Sequence, residues 1–190
     1  MIFNPGFAIP PKLLILWRMK QTIITILLIC IIQNGLLFGQ GFNLAFGSCL
    51  HQEKELVLLN KAAAMSPNAF VFLGDNIYAD TYDSMRINQA YQALACNPNF
   101  QALKHSVPIY ATWDDHDYGM DDVGKYYPLK EASKRMFTSF FQPPNPTQLL
   151  SHQGIYQSYL FRYRGKKIQL ILLDTRTFRS SLKRIHVQSE

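Results

Sequence analysis

Acidic side chains are scarce in this chain: 13 Asp and Glu stand against 19 Lys and Arg in 190 residues, a formal net charge of +6. Cysteine is scarcer, at three. Once Cys30 is set aside with the N-terminal segment, only one disulfide is open, Cys49 to Cys96. No internal repeat and no low-complexity tract interrupts the sequence, and its length bounds it to one domain with a real core. The basic residues are spread along the chain and form no block interleaved with aromatics, which argues against a nucleic-acid groove.

Charge is nearly absent from one long stretch. "MKQTIITILLICIIQNGLLFGQ" runs from Met19 through one basic residue into an apolar run and a small-residue exit at Gly39. This is the pattern of a secretory signal. Arg18 has no Arg neighbour, so the twin-arginine signal is missing and the general secretory route is expected. Residue Ile29 stands before Cys30 where lipid attachment wants a small residue. The alternative is an uncleaved anchor, because the run from Thr22 to Phe38 is about long enough to span a bilayer. The expected organisation is therefore residues 1–39 as signal peptide or N-terminal membrane segment, and residues 40–190 as an exported domain: periplasmic, extracellular or membrane-anchored. Removing Lys12, Arg18 and Lys20 with that segment leaves 16 basic against 13 acidic residues, or +3.

The remainder alternates strand-like and helix-like patterns. "FNLAFGSC" predicts a strand delivering Cys49 to a loop, "QEKELVLLNKAAAM" a helix stopped before Pro67, and "AFVFLGD" a short buried strand. Residues 84–104 predict helix broken near Pro98, and "VPIYATWDD" a third strand. "PLKEASKRMFTSFF" predicts a helix opening at Pro128 and ended by Pro143, Pro144 and Pro146. "GIYQSYLFRYRGKKIQLILLDTR" predicts a hairpin turning at Gly165. The class is α/β, with polar clusters at the C-terminal ends of three strands, the edge where ligands of open α/β sheets collect.

The few acids are not evenly spread. Eight of the 13 fall in "FLGDNIYADTYD" and "TWDDHDYGMDD". Like charges that crowd together repel, so the pattern needs either plain solvation or a shared cation. Asp75 in "GDNIYAD" is a short hard ligand that can bridge two cations, or equally a cap for the following turn. Tyr78 ligates only beside a strong Lewis acid, which favours Fe(III) over Zn(II) or Mg(II); its plain reading is a packed aromatic bonded to backbone. "WDDHD" reads evenly as a metal site or a solvated acidic turn. Cys49 reads as an inert buried thiol or a thiolate ligand.

"FGSC", "FLGDNIYAD", "ATWDDHDYG" and "LDTRTFR", in that order, together resemble the alkaline phosphatase D family, the PhoD-like branch of the calcineurin-like metallophosphoesterases. The resemblance covers roughly residues 42–182. It implies a sandwich of two β-sheets flanked by helices with a binuclear metal site at the strand ends, holding Fe(III) with Ca(II) or another divalent cation. It implies that Asp75 bridges the two metals, that Cys49 and Tyr78 ligate the iron-type cation, and that Asp115 ligates the second. His116 takes the place of the superfamily's motif histidine, stabilising the phosphoryl group or protonating the leaving alcohol. The implied activity is hydrolysis of phosphomonoesters and phosphodiesters outside the cytoplasm, by attack of a metal-bound hydroxide. The implied partner is a phosphate ester substrate; no nucleic-acid partner is indicated, and the uncleaved-anchor alternative read from the apolar run places residues 22–38 in a membrane. The superfamily's late "GDxH" or "GHxH" motif is missing, and His186 in "KRIHVQSE" does not replace it. The expectation is the N-terminal portion of such an enzyme. The alternatives are a non-catalytic remnant that at most binds metal or anchors at the membrane, and a thiol hydrolase using Cys49 with His51 or His116. Arg176 in "LDTR" orients phosphate or pairs with a nearby acid such as Asp174.

Overall fold

The computed structural model describes Lys12, residues 16–26 and residues 41–181. By its contacts the chain divides into two units, Met1–Gly41 and Phe42–Glu190. In the first, residues 16–26 are helical. Among the described residues no helix is long and apolar enough to cross a membrane. Most of the run from Thr22 to Phe38, the exit at Gly39 and His186 lie outside the described residues.

The second unit is built around a three-stranded parallel sheet of β1 (Leu44–Gly47), β2 (Ala69–Phe72) and β3 (Ile109–Ala111), in the order β1-β2-β3. β2 lies in the middle and all four of its residues are buried, which is why it reads as an unbroken apolar run. α1 (Val57–Ala64) crosses from β1 to β2; α2 (Ser84–Cys96) and α3 (Pro98–Ser106) cross from β2 to β3. Asp83 caps α2 by accepting the Met85 N–H at 2.9 Å. Asn97 ends that helix and starts the next: its side chain accepts the Asn99 and Phe100 N–H groups, with Pro98 in the first turn. These two caps explain the break near Pro98.

The one-turn α4 (Asp115–Tyr118) follows β3, and α5 (Lys130–Phe141) and α6 (Pro146–Ser151) lead to the antiparallel hairpin β4 (Gln157–Tyr163) and β5 (Lys166–Leu172). The hairpin turns on Arg164 and Gly165, both at positive φ (49° and 77°), the primed turn that two-residue hairpins favour. A lone two-stranded hairpin is marginal in water. Here its inner face rests on the first sheet through Tyr159 and Phe161, whose rings lie 4.4 and 5.3 Å from Tyr110. The core between sheet and helices is aromatic, with Phe72, Phe100, Trp113, Tyr118 and Phe137 all at most 2% exposed.

Three boundaries differ from expectation. α1 begins at Val57 rather than near Gln52, because Gln52 is turned inward and Lys54 N–H closes a turn on His51 O (2.9 Å). α5 begins at Lys130, Pro128 lying in the turn before it. Pro146 does not merely end a helix; it opens α6 at a position where a missing N–H costs nothing.

Candidate metal centre

The parallel pairing of β1 and β2 continues past both strands. Leu73 N–H donates to Gly47 O (2.8 Å), Cys49 N–H to Gly74 O (3.2 Å) and Leu50 N–H to Asp75 O (2.7 Å). The two loops therefore run side by side. Cys49 and Asp75 both take the left-handed backbone conformation (φ 58° and 53°), which costs a non-glycine residue roughly 1 kcal/mol. Their side chains converge: Cys49 Sγ is 3.6 Å from Asp75 Oδ2, and Tyr78 Oη is 3.4 Å from the same oxygen. Gly74 makes the close approach possible. It stands at φ 112°, and a Cβ there would lie 2.7 Å from the Asp114 backbone N and Cβ.

The second acidic motif is fastened to the first by a buried carboxylate. Asp117 is fully buried; its Oδ1 accepts the Asn76 N–H at 2.9 Å and its Oδ2 the Asp114 N–H at 3.1 Å. Asn76 in turn donates to Thr112 O at 2.9 Å, and Thr81 N–H to Gly119 O at 3.0 Å. Burial pushes the Asp117 carboxyl up to about 7, against the pull of the Asp114 and Asn76 amides. The "WDDHD" acids thus divide: Asp117 is a latch in the interior, and with Asp115 only 7% exposed this segment is not a solvated acidic turn.

Latched in this way, the loops bring Asp75, Asp115 and His116 together, with ligand atoms all within 4.8 Å of one another, so that the three can hold a metal ion. The donors fit one. Asp75 Oδ1 is buried and has no hydrogen-bond partner, a state that a cation would relieve. Burial, helped by Asp114 and Asp115, pushes the Asp75 carboxyl above the ordinary range although His116 pulls it down. Burial and the Asp75 charge likewise push the Tyr78 phenol well up. Asp75 therefore does not cap the following turn through that oxygen, and the Tyr78 hydroxyl bonds to a carboxylate, not to backbone. The Tyr78 ring lies against two imidazoles, 4.2 Å from His116 and stacked at 5.2 Å on His51.

Arg176 is placed differently from the pairing with Asp174. Its guanidinium pairs with Asp114 through Nε and lies 3.3 Å from Asp115 Oδ1 through Nη2. Asp174 instead closes its own turn, accepting from Thr177 and from the Arg176 and Ile155 N–H groups. Burial raises the Asp115 carboxyl, but the Asp122 N–H at 2.7 Å and Arg176 outweigh it and hold it low. Each Asp115 oxygen is already engaged once, so a cation there would share it with Arg176 or the Asp122 amide. Asp115 also groups with the exposed Asp121 and Asp122, beside Arg176 and Arg179. Cys49 and Cys96 are free thiols.

Two residues of the site carried no signal of their own in the sequence. Asp80 Oδ1 lies 2.7 Å from His116 Nδ1, and burial, which lowers the imidazole, is outweighed by Asp80, so that His116 is raised. Gln52 is buried against the Tyr78 main chain. Asp80 was visible only as one more acid of the first motif, and Gln52 only as the first residue of an expected helix.

No family model and no curated protein matches the chain. Among solved structures, one described as the structure of PhoD matches with a TM-score of 0.55 and 19% identity, over 74% of this chain and 32% of that chain. The present chain thus spans about a third of the length of that protein. The likeness is one of fold alone: a mixed α/β unit with helices and two small sheets, corresponding to part of the PhoD fold.

Proposed function

We propose that this chain is the N-terminal part of an exported metal-dependent phosphoesterase of the alkaline phosphatase D kind, acting on phosphomonoesters or phosphodiesters. The observation that carries this reading is the convergence of Cys49, Asp75, Tyr78, Asp115 and His116 from three strand ends around a buried carboxylate oxygen without a partner. The PhoD-like fold supports it. Cys49 and Tyr78 would hold Fe(III), Asp115 a divalent cation such as Ca(II), and Asp75 both. Cations held there supply neutralisation of phosphate charge and activation of water near neutral pH.

The chain's own groups do the rest. His116 has Nδ1 engaged by Asp80, which leaves Nε2 to hydrogen-bond a phosphoryl oxygen or give a proton to the leaving alcohol. Arg176 spans Asp114 and Asp115 and keeps the two carboxylates from repelling each other. Asp117 holds the second motif in register with the first. Export is proposed on the sequence of residues 19–40, with membrane association through residues 22–38 if that segment is retained; mass spectrometry of the mature N-terminus distinguishes them.

One observation favours a non-catalytic, metal-binding reading: both oxygens of Asp115, the residue assigned to the second cation, are engaged by Arg176 and the Asp122 amide. Hydrolysis of an aryl phosphate by the full chain, supplied with iron and calcium, separates the readings. The phosphoesterase reading expects weak turnover abolished by a chelator and by Asp75→Ala. No turnover with metal bound supports the remnant. Turnover that survives chelator and Asp75→Ala but is lost in Cys49→Ser establishes the thiol hydrolase instead.

A further inference from the structure

Tyr78 lies beyond the end of β2, where its main chain has no strand partner. Gln52 supplies one. Its buried side-chain amide accepts the Tyr78 N–H at 2.9 Å and donates to the Tyr78 carbonyl at 3.1 Å, so one side chain satisfies both polar groups of one residue. Gln52 stands three positions after Cys49, on the same loop, and between them His51 stacks on the Tyr78 ring at 5.2 Å. The loop that carries the thiol therefore also grips the backbone and the ring of the phenol. We infer that Gln52 is a positioning residue that fixes the spacing of the Cys49 thiol and the Tyr78 phenol, preforming the pair as ligands for a hard trivalent cation. This rests on the metal-site reading above and goes beyond it, since Gln52 touches neither cation nor substrate.

The chemistry favours such a device. A phenol ligates only after losing a proton and meeting the cation at a set distance, and a residue that must also be ordered on binding lowers affinity. Residues that orient metal ligands typically change affinity about 10- to 100-fold when replaced. Gln52→Met keeps the length and loses both hydrogen bonds. Gln52→Glu, when ionised, keeps the acceptor and loses the donor.

The test uses the full chain and ferric iron, read by the visible phenolate-to-iron charge-transfer band and, without metal, by amide exchange. The unsubstituted chain should show the band and a protected Tyr78 amide. Gln52→Met should lose protection at Tyr78 while the β2 amides stay protected, and should bind iron about 10- to 100-fold more weakly with a diminished band. Gln52→Glu should fall between the two. If Gln52→Met fails to fold, Gln52→Glu decides alone, by weakened iron binding with the Tyr78 amide still protected. An unchanged band and affinity in a folded variant would overturn the positioning role and leave the metal-site reading standing. No band in the folded, unsubstituted chain overturns both.

Discussion

His116 Nδ1 lies 2.7 Å from Asp80 Oδ1, although 36 residues separate them in the chain. The carboxylate also accepts the Asp121 N–H at 3.2 Å, so it is itself held in place. Asp80 fixes which ring nitrogen of His116 carries a proton toward the protein, and stabilises the charged ring.

In Asp80→Asn the acceptor oxygen remains and the charge does not, so the His116 pKa should fall, as read by its ring proton shifts in the metal-free chain. The sign also sets a stability window. The raised imidazole contributes stability that is present below its ordinary pKa and lost as pH rises through the folded value. If the metal-loaded chain turns over, Asp80→Ala should lower kcat about 10-fold or more, with KM little changed. An unmoved His116 titration would show that the pair is incidental.

Asp117 gives a second pH-dependent expectation. Its folded pKa of about 7 lies above the roughly 3.9 of an unfolded Asp, so the folded state binds the extra proton between these values. Its contribution is present below about pH 4 and is lost as pH rises to about 7. Asp117→Asn cannot ionise. The stability difference between this variant and the parent chain should therefore shift in the variant's favour across that window, by a few kcal/mol at most, and level off above it. This shift comes on top of a constant cost, because the amide accepts only one of the two N–H groups. Denaturant unfolding in chelator at several pH values measures the difference; a flat difference would mean that Asp117 does not hold a proton in the interior.

Gly74→Ala and Gly165→Ala separate two costs. Both glycines have positive φ, but nothing lies within 4 Å of a Cβ on Gly165, whereas one on Gly74 meets the Asp114 backbone. The hairpin substitution should cost about 1 kcal/mol. The Gly74 substitution should cost more than that and weaken metal binding, because it pushes the two acidic loops apart.

Arg176→Met removes the guanidinium that faces Asp114 and Asp115. Denaturant unfolding should show a loss of roughly 1–3 kcal/mol, because the largely buried Asp115 loses its charged partner. Calcium should restore more stability to this variant than to the parent chain, since a cation replaces the lost charge. Equal calcium responses would argue against a cation site at Asp115.

The strand-end placement of Cys49, Asp75 and "WDDHD" was legible because each motif follows a short apolar run, and apolar runs bounded by turn residues fix where a strand stops. The hairpin was legible from Gly165. What the local pattern did not carry was pairing across distance. Arg176 reaches back 62 residues to Asp114 rather than two to Asp174, because Asp174 spends its oxygens on its own turn. Asp117 reads like its neighbours in sequence, yet two positions along the short helix turn it into the core while Asp115 remains at the site. Gln52 looked like helix, and the unpartnered backbone at Tyr78, together with the turn that Lys54 closes on His51, explains why it is not.

Metal content tests the central claim most directly. The full chain and Asp75→Ala should be dialysed against iron and calcium and analysed for bound metal, with folding of both checked by circular dichroism. A metal centre organised on Asp75 predicts at least one ion per parent chain and a loss of that ion in the variant. Equal metal content in the two folded proteins, or none in the parent, would contradict it.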